Sequence, residues 1–525
     1  MTASQKLSVG FNQYFLPEED LKYLPPYFRD VPETPQETEC KTSGLWPSWL
    51  KGTFVRVGPG RWTIPLSEDG SKPKAVIQHF FDGLAMLHKF RMQDGLVFYT
   101  SRYTSEGVVR RAKKDGYLSA SVFGLNPNTP LKYAQDPCSA LLGAQVLVQT
   151  DFNLLQVCDA RTLEPKRMLT YAQIDPQLSG FGICSHPPKD RKRGLTFNYL
   201  IDPATGVMSV FALNIAANPA SLVWKTPLPC EPCYIHSLAM TDKYVIFIRN
   251  PVHMDVSDTT KPLVDMLLFE EGTPTQFFVL NKSDGQHIAT YAQKDGFMFF
   301  HSVNAYDYVD SSTGAVNIHV DLCSYGGDYP PYSEYSLSNI VDPARPFQNG
   351  TLIRYEMAAV DHADLSKIGR VTVAASIPGM PCELPRIGKS ASMDPAYRYV
   401  YCTAGNGGPS PGTSVPIGRL GNGLKIVQAA MFNSLAKSDW KTGTFKRWQP
   451  ENGESCPCEP VFVQRSDAGD EDDGVVLTIV INREGSHSIL VALDGKTFEE
   501  VARADMPQVY GLGPHGSFIE GDFGV

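Results

Sequence analysis

Short runs of strand-forming residues, separated by frequent glycine and proline, are the feature that most limits the fold of this chain. Its 525 residues include 44 Gly and 40 Pro, spread along the whole length, and this density disfavours long helices. The runs are rich in β-branched and aromatic residues and are bounded by Gly, Pro, Asn or Asp. Clear examples are residues 97–103, 145–151, 244–248, 316–322, 398–402, 475–481 and 488–493. The sequence therefore predicts an all-β protein.

Repeated short strands over such a length are typical of a propeller or a large sandwich. The sequence has no strict period, so periodicity alone leaves both architectures open. Residues 45–57 lead into a first strand that Gly58-Pro59-Gly60 is expected to break, and residues 425–432 are a short helix candidate. Since no stretch has the composition of a linker, we expect one domain over residues 1–525. The polar, proline-containing residues 1–45 are expected to pack on it as an arm.

Charge and composition exclude several function classes. The formal net charge is -9 and there is no basic block, which argues against nucleic acid as a partner. No run of 18 apolar residues exists, so the sequence predicts no membrane-spanning helix. The eleven cysteines are an odd number, and the first ten residues contain no apolar signal segment, which together favour a reducing, cytoplasmic location with free thiols.

Two cysteine pairs, Cys230/Cys233 and Cys456/Cys458, suggest a zinc site as one alternative. A structural zinc site would need both pairs to meet in tetrahedral geometry. Small buried thiols are the interpretation we favour.

Four histidines occur in similar settings at widely separated points of the chain. The residues are His186 in Ser-His-Pro-Pro, His236 in Tyr-Ile-His-Ser, His301 at the predicted end of an apolar strand, and His515 in Gly-Pro-His-Gly. A neutral imidazole is the commonest metal ligand, although a single histidine in an apolar run is more often a core residue. The axis of a closed propeller receives residues from every blade, so distant histidines could meet there. All-imidazole ligation suits Fe, Cu, Zn or Ni.

Three carboxylates lie in apolar or proline-flanked runs, where an acid needs a partner. They are Asp151, Glu383 and Glu459. Ligand histidines usually donate their second N–H to a carboxylate, so these acids are candidates for that role. The other histidines carry no such signal; they are His79, His88, His253, His287, His319, His362 and His487.

From residue 52 to its end, the chain resembles the carotenoid cleavage oxygenase family, including the animal members that make retinal. Each motif alone is weak, but all of them in one order are specific. The motifs are residues 78–90 (Gln-His-Phe-Phe-Asp-Gly-Leu-Ala-Met-Leu-His-Lys-Phe), Ile235-His236-Ser237, residues 300–306 (Phe-His-Ser-Val-Asn-Ala-Tyr), Glu383-Leu384-Pro385-Arg386-Ile387, residues 459–463, residues 471–477 and Pro514-His515-Gly516.

The resemblance implies a seven-bladed β-propeller, with loops and short helices capping the active-site face. It also implies a non-haem Fe(II) ion, Fe²⁺, on the propeller axis, with His186, His236, His301 and His515 as ligands. Three family glutamates that orient ligands fall on Asp151, Glu383 and Glu459, which we pair with His236, His301 and His515. Asp151 departs from the family pattern. Because it is one methylene shorter, its hydrogen bond needs a closer strand or an intervening water.

The activity implied by the resemblance is cleavage of a C=C bond by O₂, giving two carbonyl products. The substrate would be a carotenoid or apocarotenoid, with a β-carotene-like molecule cut to retinal as our preferred prediction. Stilbene-cleaving members have a lysine before the first acid, whereas Thr150 stands here, which counts against a resveratrol-type stilbene. A retinoid isomerase remains an alternative. So does a non-enzymatic propeller scaffold with structural histidines, which would bind no stoichiometric iron.

So apolar a substrate resides in membranes, and family members dock on them peripherally through an apolar patch. Residues 263–269 (Leu-Val-Asp-Met-Leu-Leu-Phe) are the candidate patch; the alternative is a buried core strand. The expectation is a cytoplasmic protein with peripheral membrane contact.

Overall fold

A computed structural model describes residues 17–118, 138–142, 145–255, 257, 263–326, 332, 335–340, 350–405, 416–419, 425–427, 432–455, 457–511 and 513–520. Strands dominate these ranges, which confirms the all-β prediction. The α-helices are α1 (Glu106–Asp115), α2 (Leu263–Met266) and α3 (Leu337–Ile340). No helix within these ranges has the length and apolar character needed to cross a bilayer.

The strands in chain order are β1 (Thr38–Glu39), β2 (Lys41–Gly44), β3 (Gly52–Arg61), β4 (Thr63–Ile64), β5 (Ala75–Val76), β6 (Leu84–Gln93), β7 (Leu96–Tyr103), β8 (Cys138–Leu142), β9 (Gln145–Gln149), β10 (Leu155–Asp159), β11 (Pro165–Leu169), β12 (Lys189–Asp190), β13 (Leu195–Ile201), β14 (Met208–Asn214), β15 (Ser221–Pro227), β16 (Ala239–Met240), β17 (Tyr244–Arg249), β18 (Val252–Met254), β19 (Leu267–Phe269), β20 (Thr275–Asn281), β21 (His287–Gln293), β22 (Met298–Val309), β23 (Val316–Tyr325), β24 (Gly350–Met357), β25 (Ile368–Arg386), β26 (Tyr399–Ala404), β27 (Pro416–Arg419), β28 (Lys425–Val427), β29 (Ser434–Asp439), β30 (Thr444–Trp448), β31 (Val461–Gln464), β32 (Gly474–Ile481), β33 (Ser488–Asp494), β34 (Glu500–Asp505) and β35 (His515–Glu520).

Antiparallel pairing of neighbours in sequence builds most of the sheets. Two four-stranded sheets have the orders β11-β10-β9-β8 and β12-β13-β14-β15, and a five-stranded sheet has the order β2-β34-β33-β32-β31. An eleven-stranded sheet contains β16-β17-β20-β21, β25-β24-β23-β22 and, beyond β25, the strands β26, β29 and β30. The 19-residue β25 pairs with β24 and with β26, and it therefore links these groups.

The remaining large sheet joins residues from both ends of the sequence. Its order is β1-β7-β6-β3-β35, so β35 lies beside β3, with His515 opposite Val57. The described part of the N-terminal arm contributes β1 to this sheet, while β2 pairs with β34 of another sheet. The N-terminal sheet is thus completed by a C-terminal strand, β35, and the C-terminal sheet by an N-terminal strand, β2.

Two local predictions are wrong. Gly58-Pro59-Gly60 does not break the first strand, because β3 continues to Arg61 through a register shift between Pro59 and Arg61. A bulge is one of the positions where a strand tolerates proline. The helix expected at residues 425–432 is also wrong where it is described, since Lys425–Val427 is a strand paired with β27; residues 428–431 lie outside the described ranges.

The apolar patch expected at residues 263–269 is likewise wrong. These residues form α2 and β19, and Leu263, Val264, Met266, Leu267 and Phe269 are each at most 8% exposed. The buried alternative is therefore correct. Leu263, Val264, Leu267 and Phe269 belong to a large apolar cluster whose members range in sequence from Leu21 to Phe518.

A buried ion pair ties β29 to the loops around β32 and β33. The Lys437 ammonium donates to Asp472 Oδ2 at 2.6 Å and to the Gly495 carbonyl at 2.7 Å. It also lies 4.2 Å from the centroid of the Tyr399 ring. The Lys437 side chain is 4% exposed, so its charge depends on these partners.

We expect Lys437→Met to lower the free energy of unfolding by about 3–5 kcal/mol, because the Asp472 carboxylate would remain buried without its counter-charge. Chemical denaturation would measure this loss. Lys496→Met is the matched control, because it breaks an exposed 2.9 Å pair with Asp470 and exposed pairs contribute little. Equal effects of the two substitutions would contradict the role given to Lys437.

Candidate metal centre

The four histidines singled out in the sequence meet in space. One nitrogen from each of His186, His236, His301 and His515 lies within 4.8 Å of the others. The Nε2 atoms of His186 and His236 are 3.1 Å apart, and the His186 and His515 ring centroids are separated by 4.3 Å. In the described part of the chain, no other group of three or more His, Cys, Asp or Glu residues forms such a cluster.

Each histidine reaches the cluster from a different element. His186 lies just before β12 and forms a parallel bridge with Ser237, the residue after His236. His515 begins β35. His301 lies inside β22 and not at the end of the strand, as was predicted. At His301 the register between β22 and β23 shifts, between Phe299 and Ser302. A bulge re-aims a side chain, which accounts for an imidazole in the middle of an apolar strand.

Two of the four imidazoles, His186 and His515, are kept neutral. Burial, together with the neighbouring imidazoles, lowers the pKa of His186 well below its usual range. Burial also lowers the pKa of His515 well below its usual range, and His301 and His236 act in the same direction. A neutral imidazole keeps one nitrogen lone pair for a cation, so these rings are suited to bind a metal.

Glu383 approaches His301 closely. Its Oε2 lies 2.6 Å from His301 Nδ1 and accepts from the Leu384 amide at 2.7 Å. Its Oε1 accepts from the Tyr325 hydroxyl at 2.6 Å. Leu384 has φ 48°, in the left-handed region, and such strain persists where surrounding contacts fix the backbone. The carboxylate is thus held in place by partners on both oxygens.

Glu459 approaches His515 and also binds two arginines. Its Oε1 lies 3.2 Å from His515 Nδ1 and 2.8 Å from Arg386 Nε. Its Oε2 accepts from the Gly516 amide at 2.8 Å, and the fully buried Arg56 donates to it at 3.3 Å. Two guanidinium groups therefore balance the charge of this carboxylate.

Asp151 is the third acid beside the cluster, and His236 Nδ1 lies 3.2 Å from both of its carboxylate oxygens. Despite its shorter side chain, it reaches His236 without an intervening residue. The structure thus brings together each pair that was expected, Asp151 with His236, Glu383 with His301 and Glu459 with His515.

The donor set fits a transition metal. A carboxylate beside Nδ1 fixes the imidazole proton there and leaves Nε2 as the free acceptor. His301 Nε2 is buried and has no hydrogen-bond partner among the described residues, an arrangement that costs free energy. A cation between the imidazoles would satisfy it, and an all-nitrogen set suits Fe, Cu, Zn or Ni better than Mg or Ca.

An apolar cavity of about 30 Å³ lies beside three of the imidazoles. A water molecule needs about 10–15 Å³ of such space, so the cavity has room for a small molecule such as O₂. The residues that line it are Phe80, Phe81, His236, Phe300, His301, Tyr335, Glu383, Leu384, Phe432, Pro514 and His515. Apart from the imidazoles, Glu383 and the Tyr335 hydroxyl, the lining is apolar.

Several residues at the site were not recognised in the sequence. Arg56 stands in an apolar strand, where a charge requires a partner, so its pattern offered a signal. Arg386 was part of a motif but had no assigned role. Tyr325 is a common residue type in an ordinary strand, and nothing in the sequence marks it. Tyr234 and Ser185, whose side chains bond to Asp151, were quoted beside His236 and His186 but were given no role.

Other predicted features lie elsewhere. His79 Nε2 is 2.8 Å from the Tyr332 carbonyl and His88 Nδ1 is 2.8 Å from the Tyr99 hydroxyl, which are core contacts. Cys230 and Cys233 are free thiols near the Met208 sulfur; Cys456 lies outside the described residues.

We expect Glu383→Gln to weaken divalent metal binding by about 10–100-fold, because the imidazole loses the carboxylate that orients it. Titration of metal-free protein with Fe(II) under nitrogen would measure this change. Glu356→Gln is the matched control, because Glu356 Oε2 lies 3.0 Å from His319 Nε2 in an analogous pair away from the cluster. Wild-type affinity in Glu383→Gln would contradict the assignment.

Comparison with known proteins identifies related chains over nearly the whole length. The Carotenoid-cleaving dioxygenase, mitochondrial, of Mustela putorius furo is 26% identical over 99% of both chains. Beta,beta-carotene 15,15'-dioxygenase of Mus musculus is 25% identical over 92% of this chain and 89% of that protein.

Solved structures share the fold. The lignostilbene dioxygenase of Pseudomonas brassicacearum superposes with a TM-score of 0.74 at 21% identity, over 97% of this chain and 100% of that one. Cobalt-substituted ACO of Synechocystis superposes with a TM-score of 0.73 at 21% identity, over 94% and 98%. Residues 28–520 match the family described as Retinal pigment epithelial membrane protein, RPE65. The chain therefore belongs to the RPE65 family, the carotenoid cleavage oxygenase family that its motifs resemble.

Proposed function

We propose that this chain is an Fe(II)-dependent dioxygenase that cleaves a C=C bond of a carotenoid or apocarotenoid into two carbonyl products. A β-carotene-like substrate cut to retinal is the specific reaction we propose. The observation that carries the proposal is the cluster of four imidazoles, three of them beside carboxylates, next to an aromatic cavity. The named activities of the curated relatives agree with it.

His186, His236, His301 and His515 would hold the iron. When bound, the iron would supply O₂ activation beside an electron-rich double bond. Neutral imidazole ligands would add no charge of their own. Asp151, Glu383 and Glu459 would each accept a hydrogen bond from the Nδ1–H group of one imidazole. The carboxylates thereby fix three rings in orientation before substrate arrives.

The cavity wall has the aromatic, apolar character that a polyene needs around its reacting bond, although the cavity itself has only the volume of a small molecule. Phe81 and Tyr335 lie with ring centroids 4.6 Å apart in a stacked arrangement, and Phe300 meets Tyr335 edge to face at 5.8 Å. Such side chains bind polyenes through apolar contact and exclude water from the reacting bond. Thr150 supports this substrate class, because its hydroxyl turns back to the Phe152 backbone and offers no cation to a phenol.

We also propose that the sheets form the seven blades of one propeller domain over residues 1–525, with residues 1–45 as an arm. The eleven-stranded sheet divides into three units, which are β16-β17-β20-β21, β22-β23-β24-β25 and the strands β26, β29 and β30 beyond β25. Together with the other four large sheets, these units make seven. Pairing of β35 with β3 supports ring closure. His186 and His236 lie next to β12 and β16, and His301 lies in β22; each of these is the first strand of its unit, as expected near an axis.

For location, we propose a cytoplasmic protein that contacts membranes peripherally to obtain its apolar substrate. The nine cysteines whose side chains the structure describes are all free, as is usual in reducing compartments. Residues 263–269 are buried and do not supply the membrane contact.

The test is product analysis under ¹⁸O₂. Iron-loaded protein would receive β-carotene in detergent and, separately, resveratrol, with products separated by chromatography and identified by mass. We expect labelled retinal from β-carotene. Labelled hydroxybenzaldehydes from resveratrol would instead identify a stilbene oxygenase. Absence of product from both substrates, with iron bound, would contradict the β-carotene reaction and favour a shorter apocarotenoid substrate or a retinoid isomerase.

His301→Ala should abolish iron binding and product formation while leaving the β-rich circular dichroism spectrum unchanged. His319→Ala is the matched control, because that histidine also lies beside a glutamate but outside the cluster. If His301→Ala retained iron and turnover, the ligand set would be wrong, and a non-enzymatic scaffold would account for the cluster if the wild-type protein bound no iron.

A further inference from the structure

The carboxylate of Asp151 makes a different set of contacts from those of the two glutamates. His236 Nδ1 is 3.2 Å from both Asp151 oxygens, whereas His301 Nδ1 is 2.6 Å from one oxygen of Glu383. The contact to Oδ2 is the one with hydrogen-bond geometry, and a hydrogen bond of 3.2 Å is weaker than one of 2.6 Å. Asp151 alone therefore orients its imidazole less firmly than Glu383 does.

Tyr234 supplies a further oxygen at this point. The Tyr234 hydroxyl donates to Asp151 Oδ2 at 2.8 Å, and the Tyr234 hydroxyl oxygen lies 3.0 Å from His236 Nδ1. Since the phenol proton is directed to the carboxylate, the phenol oxygen can accept from the Nδ1 proton of His236. Tyr234 is 3% exposed, so water does not compete. At Glu383 the corresponding phenol, Tyr325, contacts the carboxylate and makes no such bond to His301.

The other oxygen of Asp151 reaches the segment before His186. Oδ1 accepts from the Ser185 hydroxyl at 2.6 Å and from the Ser185 amide at 3.3 Å. The Asp151 carbonyl accepts from the Ile183 amide at 2.9 Å. These bonds fix the backbone on both sides of Cys184, immediately before His186.

We infer that Asp151 positions two of the four imidazoles, His236 together with Tyr234 and His186 through Ser185. Tyr234 is the positioning residue that adapts the centre to a short carboxylate. This inference rests on the proposed function only in taking the histidine cluster as a metal site. It assigns one acid to two ligands, whereas Glu383 and Glu459 each serve one.

A double-mutant cycle between positions 151 and 234 tests the inference. Metal-free protein would be titrated with Co(II), and both the affinity and the visible absorption of the bound ion would be recorded. Tyr234→Phe should weaken binding by about 10-fold, the lower end for loss of a ligand's hydrogen-bond partner, and should shift the absorption bands. In an Asp151→Glu background the longer acid reaches His236 itself, so Tyr234→Phe should cost much less. Non-additivity of this kind measures direct coupling.

Tyr355→Phe is the matched control, because it removes a phenol that is 3% exposed and bonded to the Ser324 hydroxyl at 2.8 Å, away from the cluster. It should change neither the affinity nor the spectrum. If Asp151→Glu fails to fold, Ser185→Ala provides the second test, and it should also weaken Co(II) binding. Wild-type affinity in Tyr234→Phe, or equal losses in both backgrounds, would overturn the inference.

The outcomes separate this inference from the proposed function. A wild-type protein that binds Co(II) but cleaves neither substrate would contradict the proposed function, while the cycle would still decide the role of Tyr234. A wild-type protein that binds no Co(II) would overturn both. If the wild-type protein formed product, but Tyr234→Phe bound Co(II) with the affinity and spectrum of the wild type, the inference alone would be overturned.

Discussion

The convergence of four imidazoles on one small volume is the constraint on which the rest of the structure depends. Ring nitrogens brought within 4.8 Å of one another in the protein interior are costly to bury without partners. Hydrogen bonds from the Nδ1–H groups to carboxylates hold three of the rings, and those carboxylates need further donors to remain charged in the interior. The centre therefore extends well beyond the histidines, into a layer of hydroxyls, amides and guanidinium groups.

That layer is not uniform in charge. Glu459 binds two arginines, whereas the described hydrogen bonds to Glu383 and Asp151, apart from those of the imidazoles, come from hydroxyl and amide groups. A carboxylate between two cations shares less of its negative charge with its imidazole. His515 should thus be the least electron-rich of the three supported rings, and the His236 and His301 sides of the cluster the most.

Much of this architecture could be predicted from the sequence. Short runs separated by glycine and proline indicated an all-β chain. The histidines and acids that meet were singled out by their local settings and by the motifs of the family resemblance, and their role as iron ligands stays a prediction. The bulge around His301 could not be foreseen, since it depends on the register with β23. The contacts of Arg56 with Glu459 and of Tyr234 with Asp151 could not be assigned, because they join positions far apart in sequence. Residues 263–269 were misjudged because an apolar run has the same composition whether it faces a membrane or the core.

Pairing of β35 with β3 has a consequence for how the protein is made. His515 follows His301 by more than 200 positions, so a chain emerging from the ribosome carries three of the four imidazoles long before the fourth. Until β35 is synthesised, one edge of β3 is unpaired, and such an edge invites association with other chains. Assembly of the histidine cluster and closure of the first sheet therefore depend on the same late segment. A nascent chain that stalls before that segment would lack one imidazole of the cluster and would also be prone to aggregate.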